Sequence, residues 1–203
     1  MTTVVVGGHS RNIGKTSVAA GLIAAFPDLG WTAMKITQYG HGLCSINGRE
    51  CGCAVEEHPY AILDEQSREG TTDSSRFLMA GARRSLWVRT KQGQLDLAMP
   101  VLRTVIESEP FVLIESNSIL RFIQPALYIV VLSYSVTDFK RSARDHLDKA
   151  DAVVLVGGGA ARPRWDGISD ALLGKLPTFP VEPPTYVTQG LREFVGSRLE
   201  ALT

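Results

Sequence analysis

The sequence predicts an α/β protein with a single domain built on a three-layer, doubly wound, mostly parallel sheet. Short apolar runs alternate with longer amphipathic segments along the 203 residues. The runs at 111–114 and 127–132 are apolar at every position, which is typical of strands buried on both faces of a parallel sheet. In such sheets ligands bind beyond the carboxyl ends of the strands, so that edge is where we expect a site.

The predicted elements follow one another closely along the chain. The first strand is Val4–Val6, and the helix after Gly14 places Val18, Leu22 and Ile23 on one apolar face. The later elements are strands at 31–37, 85–90, 111–114, 127–132 and 152–156, and helices over 73–82, 95–107, 138–150 and 191–202. The polar stretch 38–72 interrupts this pattern and is predicted to be an irregular insert. So long an irregular stretch in a compact domain is usually functional.

The segment from the first strand to the first helix has the pattern of a phosphate-binding loop, or P-loop. Gly8 and Gly14 enclose five residues, one more than in the common form, and Lys15 and Thr16 follow. Loop N–H groups and the positive helix end attract an anion, the lysine can reach the β and γ oxygens, and the threonine hydroxyl can bind Mg²⁺. The residues expected to surround the phosphates are Gly8, Ser10, Arg11, Asn12, Ile13, Gly14, Lys15, Thr16 and Ser17.

Three further residues are candidates for the same site. Glu115 ends the strand at 111–114, which is where P-loop folds place a second Mg²⁺ anchor. Lys35 lies in the second strand, where it can either reach a phosphate or extend to solvent. Asp73 begins a helix, so it is interpreted either as the N-cap or as a further Mg²⁺ ligand.

All three cysteines lie in the insert, and two histidines flank them. The pattern formed by His41, Cys44, Cys51, Cys53 and His58 offers more than the four soft ligands of a zinc site, although its spacing matches no standard signature. A zinc site and a mobile loop with small packed cysteines are both left open.

Composition limits the function classes. Hydrophobic residues make up 44% of the chain, and Lys+Arg and Asp+Glu both number 21, so no overall charge favours nucleic acid or an anionic membrane. The sequence has no signal-peptide pattern and no apolar stretch of spanning length, so we expect a cytoplasmic protein without membrane contact.

The motifs together resemble the class of P-loop nucleoside triphosphate hydrolases that contains dethiobiotin synthetase, the cobyrinate and cobyrate synthases and the molybdopterin-guanine dinucleotide biosynthesis adaptor. The long loop, Lys35, Asp73 and Glu115 are similar in order to elements of dethiobiotin synthetase, as is Leu-Leu-Gly-Lys-Leu-Pro at 172–177. The adaptor carries an Asp-Ser-x-Arg element that 73–76 resembles. The sequence departs from dethiobiotin synthetase after Glu115, where Ser-Asn-Ser replaces glycine-rich sequence.

This resemblance implies an enzyme that transfers a phosphoryl group from Mg·ATP to a small carboxylate or carbamate in cofactor biosynthesis. Lys15, Lys35 and Glu115 are then catalytic, and Thr16, Asp73 and Glu115 hold Mg²⁺. GTP is disfavoured because Gly157 stands where a guanine-reading asparagine is expected. Two alternatives remain: a nucleotide-dependent adaptor in molybdenum-cofactor or metal-centre maturation, and a nucleotide-binding domain without turnover. The expected partners are the nucleotide and an anionic small molecule; a partner protein and a homodimer are left open.

Overall fold

The computed structural model describes residues 1–39 and 59–201. Eight strands form one sheet in the order β3-β4-β2-β5-β1-β6-β7-β8, and each neighbouring pair is parallel except β3 with β4. The strands are β1 Thr2–Gly8, β2 Thr32–Tyr39, β3 Tyr60–Asp64, β4 Arg84–Lys91, β5 Phe111–Glu115, β6 Leu127–Leu132, β7 Ala152–Val156 and β8 Thr178–Val181. The helices are α1 Lys15–Ala25, α2 Asp73–Met79, α3 Leu95–Ser108, α4 Arg141–Arg144, α5 Asp170–Leu173 and α6 Gln189–Glu200.

The sheet has a hydrophobic core on each face, which makes the three layers. One core packs side chains of α1 and α6, among them Leu22 and Leu191, against alternate residues of the central strands. The other packs α3, through Leu102 and Ile106, against the opposite set. Val4 and Val5 of β1 belong to different cores, as expected for a strand buried on both faces. The predicted fold class is therefore confirmed: the protein has the doubly wound α/β fold of P-loop proteins.

The strand order determines where a site can form. After β1 the chain passes to β2, beyond β5, whereas after β5 it crosses to β6 on the other side of β1. The loops after β1, β5 and β6 therefore meet at the carboxyl edge near this change of direction, where doubly wound sheets bind ligands.

Several predicted elements differ from the observed ones. The charged helix predicted over 138–150 is wrong in length: only 141–144 is α-helical and Leu147–Lys149 is a 3-10 turn. Lys140 is extended and His146 leaves the helical region, with a φ of −131°, so the helix cannot extend in either direction. The stretch 38–72 is not irregular throughout, because 38–39 continue β2 and 60–64 form the edge strand β3. Strand β8 and helix α5 were not predicted.

No helix within the described part of the chain is both long enough and apolar enough to cross a membrane.

Candidate active site: a phosphate-binding loop and a carboxylate–lysine cluster

The loop between β1 and α1 is shaped by two residues with left-handed backbone. Asn12 has a φ of 54° and Gly14 a φ of 93°, a conformation that glycine adopts without steric cost. A side chain at Gly14 would also come within 2.8 Å of the Tyr186 ring. Glycine is thus required there twice, and α1 starts directly after it at Lys15.

Asn117 fixes the beginning of the loop. Its side chain accepts a hydrogen bond from the Gly8 N–H at 2.8 Å and donates one to the Gly8 carbonyl at 2.9 Å. The same side chain would clash with any side chain at Gly7. Apart from the position of Asn117 after β5, nothing in the sequence indicated this role.

His9 ties the loop to the segment after β6. The imidazole is fully buried; its Nδ1 lies 2.7 Å from the Asp138 carbonyl, and its Nε2 accepts the Ser133 N–H at 3.0 Å. These partners assign the proton to Nδ1 of a neutral ring, which packs against Phe139 and Trp165. Burial lowers the pKa of His9 and keeps the ring neutral. This role of His9 was not predicted from the sequence.

The remaining loop residues have distinct positions. Ser10 donates to the Asp138 carboxylate at 2.9 Å, and Ser17 accepts a hydrogen bond from Arg76 at 2.8 Å. Ile13 packs its side chain into the core, so its contribution to a phosphate site is limited to its backbone. Arg11 and Asn12 line the cleft beside the loop.

The P-loop lysine is held against its own loop. Lys15 Nζ donates to the Ser10 carbonyl at 2.5 Å. Burial lowers the pKa of Lys15; Glu115 opposes this shift, whereas Lys35 adds to it.

Lys35 joins the candidate metal ligands into one cluster. Its Nζ lies 2.5 Å from Glu115 Oε1, 2.7 Å from Asp73 Oδ2 and 3.4 Å from Thr16 Oγ1. Thr16 in turn donates to Glu115 Oε2 at 2.8 Å. Three residues, from α2, β5 and α1, are thus within contact of the Lys35 ammonium group of β2. Lys35 was interpreted either as reaching a phosphate or as extending to solvent, and in the structure it lies inside the cleft.

The charges of this cluster stabilise one another. Burial alone would lower the pKa of Lys35, but Glu115 and Asp73 outweigh it, and the net pKa is raised. Burial alone would likewise raise the pKa of Asp73, but Lys35, Thr16 and Arg76 together outweigh it and the net pKa is lowered. The ion-paired forms are therefore favoured.

Asp73 is free for this contact because another residue caps α2. The predicted N-cap role of Asp73 is wrong: Thr72 is the N-cap, and it forms a capping box with Ser75. Glu65 supports this turn by accepting hydrogen bonds from Thr72 at 3.0 Å and Ser74 at 2.6 Å.

Thr16, Asp73 and Glu115 fit a Mg²⁺ ion by chemistry. They supply one hydroxyl and two carboxylates, the hard oxygen donors that Mg²⁺ takes together with nucleotide phosphates. In the described residues no group of three or more His, Cys, Asp or Glu side chains could hold a metal alone. The candidate zinc ligands His41, Cys44, Cys51, Cys53 and His58 lie outside the described residues.

These groups line a cleft of about 800 Å³, in the upper part of the range of roughly 300–1,000 Å³ usual for small-molecule sites. Six cationic side chains line it, against two acidic ones, Asp73 and Glu115. The cations are Arg11, Lys15, Lys35, Arg76, Lys140 and Arg141. The cleft therefore suits a polyanion.

No protein-family model and no curated protein matches this chain. Among solved structures it is similar to LpxK from Aquifex aeolicus, determined with ATP, at 18% identity and a TM-score of 0.48 over 89% of this chain. The chain spans about half of that protein, 53%. It is also similar to HypB from Helicobacter pylori, determined with nickel, at 16% identity and a TM-score of 0.47, over 98% of this chain and 86% of that one. Because both likenesses are distant, the fold assignment depends on the sheet order and the loop described above.

Proposed function

We propose that this protein binds Mg·ATP and transfers the γ-phosphoryl group to a small carboxylate or carbamate acceptor, in a step of cofactor biosynthesis. The observation that supports this most is the convergence of Lys15, Lys35, Thr16, Asp73 and Glu115 in one cleft beside a glycine-bounded loop. The choice of acceptor comes from the resemblance to dethiobiotin synthetase.

The cluster suggests a division of roles. Thr16, Asp73 and Glu115 would hold Mg²⁺, which neutralises charge on the β- and γ-phosphates when bound. Lys35 Nζ contacts all three of these residues, so it must give up that position to a divalent cation and can then turn to the phosphates. Lys15 would exchange the Ser10 carbonyl for phosphate oxygens. Two lysines placed in this way stabilise charge that develops during transfer.

ATP is proposed over GTP because the residues after β7 do not offer a guanine-reading side chain. Gly157 has a φ of 67° and its N–H donates to the Val181 carbonyl at 3.0 Å, while the Gly158 N–H is held by Glu182 at 2.9 Å. A competition experiment in which GTP binds tenfold more tightly than ATP would contradict this choice.

Calorimetry tests nucleotide binding directly. Lys15→Ala should weaken Mg·ATP binding strongly and leave the fold intact, because Lys15 is only half-buried and its ammonium contacts a loop carbonyl. Lys149→Ala, at an exposed lysine, is the matched control. Equal affinity in wild type and Lys15→Ala would overturn the proposal.

Turnover measurements distinguish the enzyme from its alternatives. A phosphotransferase needs a metabolite that accelerates ATP hydrolysis, and a thermal-shift screen of carboxylates finds candidates because ligands stabilise by mass action. A nucleotide-dependent adaptor in molybdenum-cofactor or metal-centre maturation should respond to a partner protein instead. A nucleotide-binding domain should respond to neither.

The zinc site proposed for Cys44, Cys51 and Cys53 with His41 or His58 needs a separate test. Elemental analysis of protein purified without chelator should find near-full zinc occupancy if the site is structural.

A further inference from the structure

We propose that Lys140 forms a second anion subsite in the cleft, which binds an oxyanion of the acceptor, either a carboxylate or a phosphate, beside the bound nucleotide. This inference rests on the proposed function, and it assigns to Lys140 the recognition of the second substrate. The residue was not a candidate from the sequence.

The backbone around Lys140 is held rigidly against the P-loop. The Lys140 N–H donates to the His9 carbonyl at 2.8 Å, and its own carbonyl accepts from Ala143 and Arg144 at 3.0 and 3.1 Å. Two residues earlier, Asp138 receives the Ser10 hydroxyl and faces His9. The start of the Lys140 side chain is therefore fixed, and the side chain lines the cleft.

Lys140 enters the cleft from a different side than Lys35. It follows β6, whereas Lys35 lies on β2, and β1 and β5 separate these two strands in the sheet. Near Lys140 the Ser142 hydroxyl lies 3.5 Å from Asn117, which places this segment against the loop after β5. Ser116 and Ser118 of that loop line the cleft, and their hydroxyl groups are hydrogen-bonded to each other. The surroundings of Lys140 are thus polar, and the segment that carries it packs against the loop after β5.

Lys140 carries a charge that the described residues do not neutralise. Among the ion pairs of residues 1–39 and 59–201, none includes Lys140, and the nearby Asp138 carboxylate accepts the Ser10 hydroxyl. Arg141, in contrast, is 92% exposed and faces Asp145 at 3.6 Å. A partly buried ammonium without a counter-ion is unfavourable and binds an oxyanion well.

The pKa of Lys140 agrees with this description. Burial, followed by Lys15, Arg11 and Lys35, lowers the pKa to about 8, and Asp138 opposes the shift. The nucleotide phosphates are already served by Lys15, Lys35 and the loop N–H groups. We therefore assign Lys140 to the second substrate.

Protection of the amine from acetylation tests the subsite. The full-length protein is saturated with Mg²⁺ and a non-hydrolysable ATP analogue, and acetic anhydride labelling of Lys140 is followed by mass spectrometry. With malonate or inorganic phosphate at ten times its dissociation constant, labelling of Lys140 should slow about tenfold, because only unbound protein reacts. Exposed Lys149 is the internal control. Protection by malonate alone indicates a carboxylate acceptor, and protection by phosphate alone indicates a phosphorylated one.

Matched variants separate the subsite from nucleotide binding. Lys140→Gln should weaken the protecting anion at least about tenfold by calorimetry, whereas Lys149→Gln should not, and both should bind the ATP analogue within about twofold of wild type. No protection by either anion would overturn the inference, as would a tenfold loss of analogue affinity in Lys140→Gln. If the wild type fails to bind the analogue, the proposed function fails, but anion protection of Lys140 in Lys15→Ala without nucleotide still tests the subsite.

Discussion

The buried charge of Glu115 is compensated by very few contacts. It is 2% exposed, and its carboxylate contacts the Lys35 ammonium on one oxygen and the Thr16 hydroxyl on the other. Lys35 has a second acidic partner in Asp73, which is partly exposed. Loss of Lys35 therefore leaves the buried Glu115 carboxylate without a contacting counter-ion, whereas loss of the glutamate charge leaves Lys35 paired with Asp73.

Lys35→Met should consequently destabilise the protein more than Glu115→Gln. We expect a loss of about 3 kcal/mol in the free energy of unfolding for Lys35→Met, since removal of one partner of a buried pair costs roughly 3–5 kcal/mol. For Glu115→Gln we expect about 1 kcal/mol. Urea unfolding measures both, and the double variant should be less destabilised than Lys35→Met alone. Equal losses in the two single variants would contradict this asymmetry.

Thr16, Asp73 and Glu115 could be predicted from their positions at element ends, because parallel strands bring their carboxyl ends to one edge. Lys35 lies within β2, and the sequence left its direction open. The pairing of these residues could not be predicted. The sequence did not indicate that Thr72 would cap α2 and release Asp73, since both residue types are good N-caps. Asn117 and Lys140 were missed because their roles depend on the loops after β5 and β6 meeting across β1.

At the scale of elements, the start of α2 couples stability to the site. The Thr72 hydroxyl accepts the Ser75 N–H at 3.1 Å, and the next residue is Asp73. The same type of cap starts α6, where Thr188 accepts the Leu191 N–H at 3.5 Å, and Thr188 itself does not line the cleft. The two threonines make a matched pair.

Thr72→Ala and Thr188→Ala should each lower the free energy of unfolding by about 1 kcal/mol, the usual cost of losing a threonine N-cap. Only Thr72→Ala should also weaken Mg·ATP binding, because it loosens the helix start that positions Asp73. Chemical denaturation and calorimetry on both variants give the two readouts. If Thr188→Ala weakened nucleotide binding as much as Thr72→Ala, the coupling would not be local to α2.

The segment 138–150, predicted to be one helix, shows that the spacing of apolar residues does not by itself determine backbone structure. Phe139, Ala143, Leu147 and Ala150 are all buried, at the spacing of one helical face. This spacing did not determine the hydrogen bonds, because the backbone at Asp138 and Lys140 bonds to His9 and the chain is extended there. Strands β3 and β8 were missed because they are short and largely exposed, and so lack a continuous apolar run.

At the scale of the whole molecule, the sheet was predictable because its central strands are buried on both faces. Apolar residues at consecutive strand positions point to opposite faces of the sheet, so both faces must be covered. The helices that alternate with the strands along the chain supply the two covering layers. The strand order required more than pattern. The neighbours of β1 are determined by pairing between residues more than 100 positions apart, such as Val4 with Leu113 and Leu127.

The dependence of stability on pH is a property of the whole chain. Because native His9 is neutral, the direction of its contribution to this dependence can be predicted. An unfolded histidine takes up a proton as the pH falls through about 6.5. Native His9 resists protonation because burial lowers its pKa, although Asp138 and Ser133 partly offset the effect of burial and Lys15 adds to it. The unfolded state therefore binds more protons, and the contribution of His9, fully present above about pH 7, is lost as the pH falls toward its native pKa. His146, whose pKa is also lowered mainly by burial, acts in the same direction.

We therefore expect the free energy of unfolding to decrease between pH 7 and pH 5, by at most about 1.4 kcal/mol per pH unit for each of these two histidines. His9→Gln should flatten this slope while lowering stability at pH 7, because the ring loses its aromatic neighbours and a buried hydrogen bond. His146→Gln is the comparison, and it should remove only its own part of the slope. Urea unfolding at pH 5, 6 and 7 measures all three proteins. A slope that is the same in wild type and His9→Gln would mean that His9 is not held neutral, and the link it provides between the P-loop and the segment that carries Lys140 would then need another explanation.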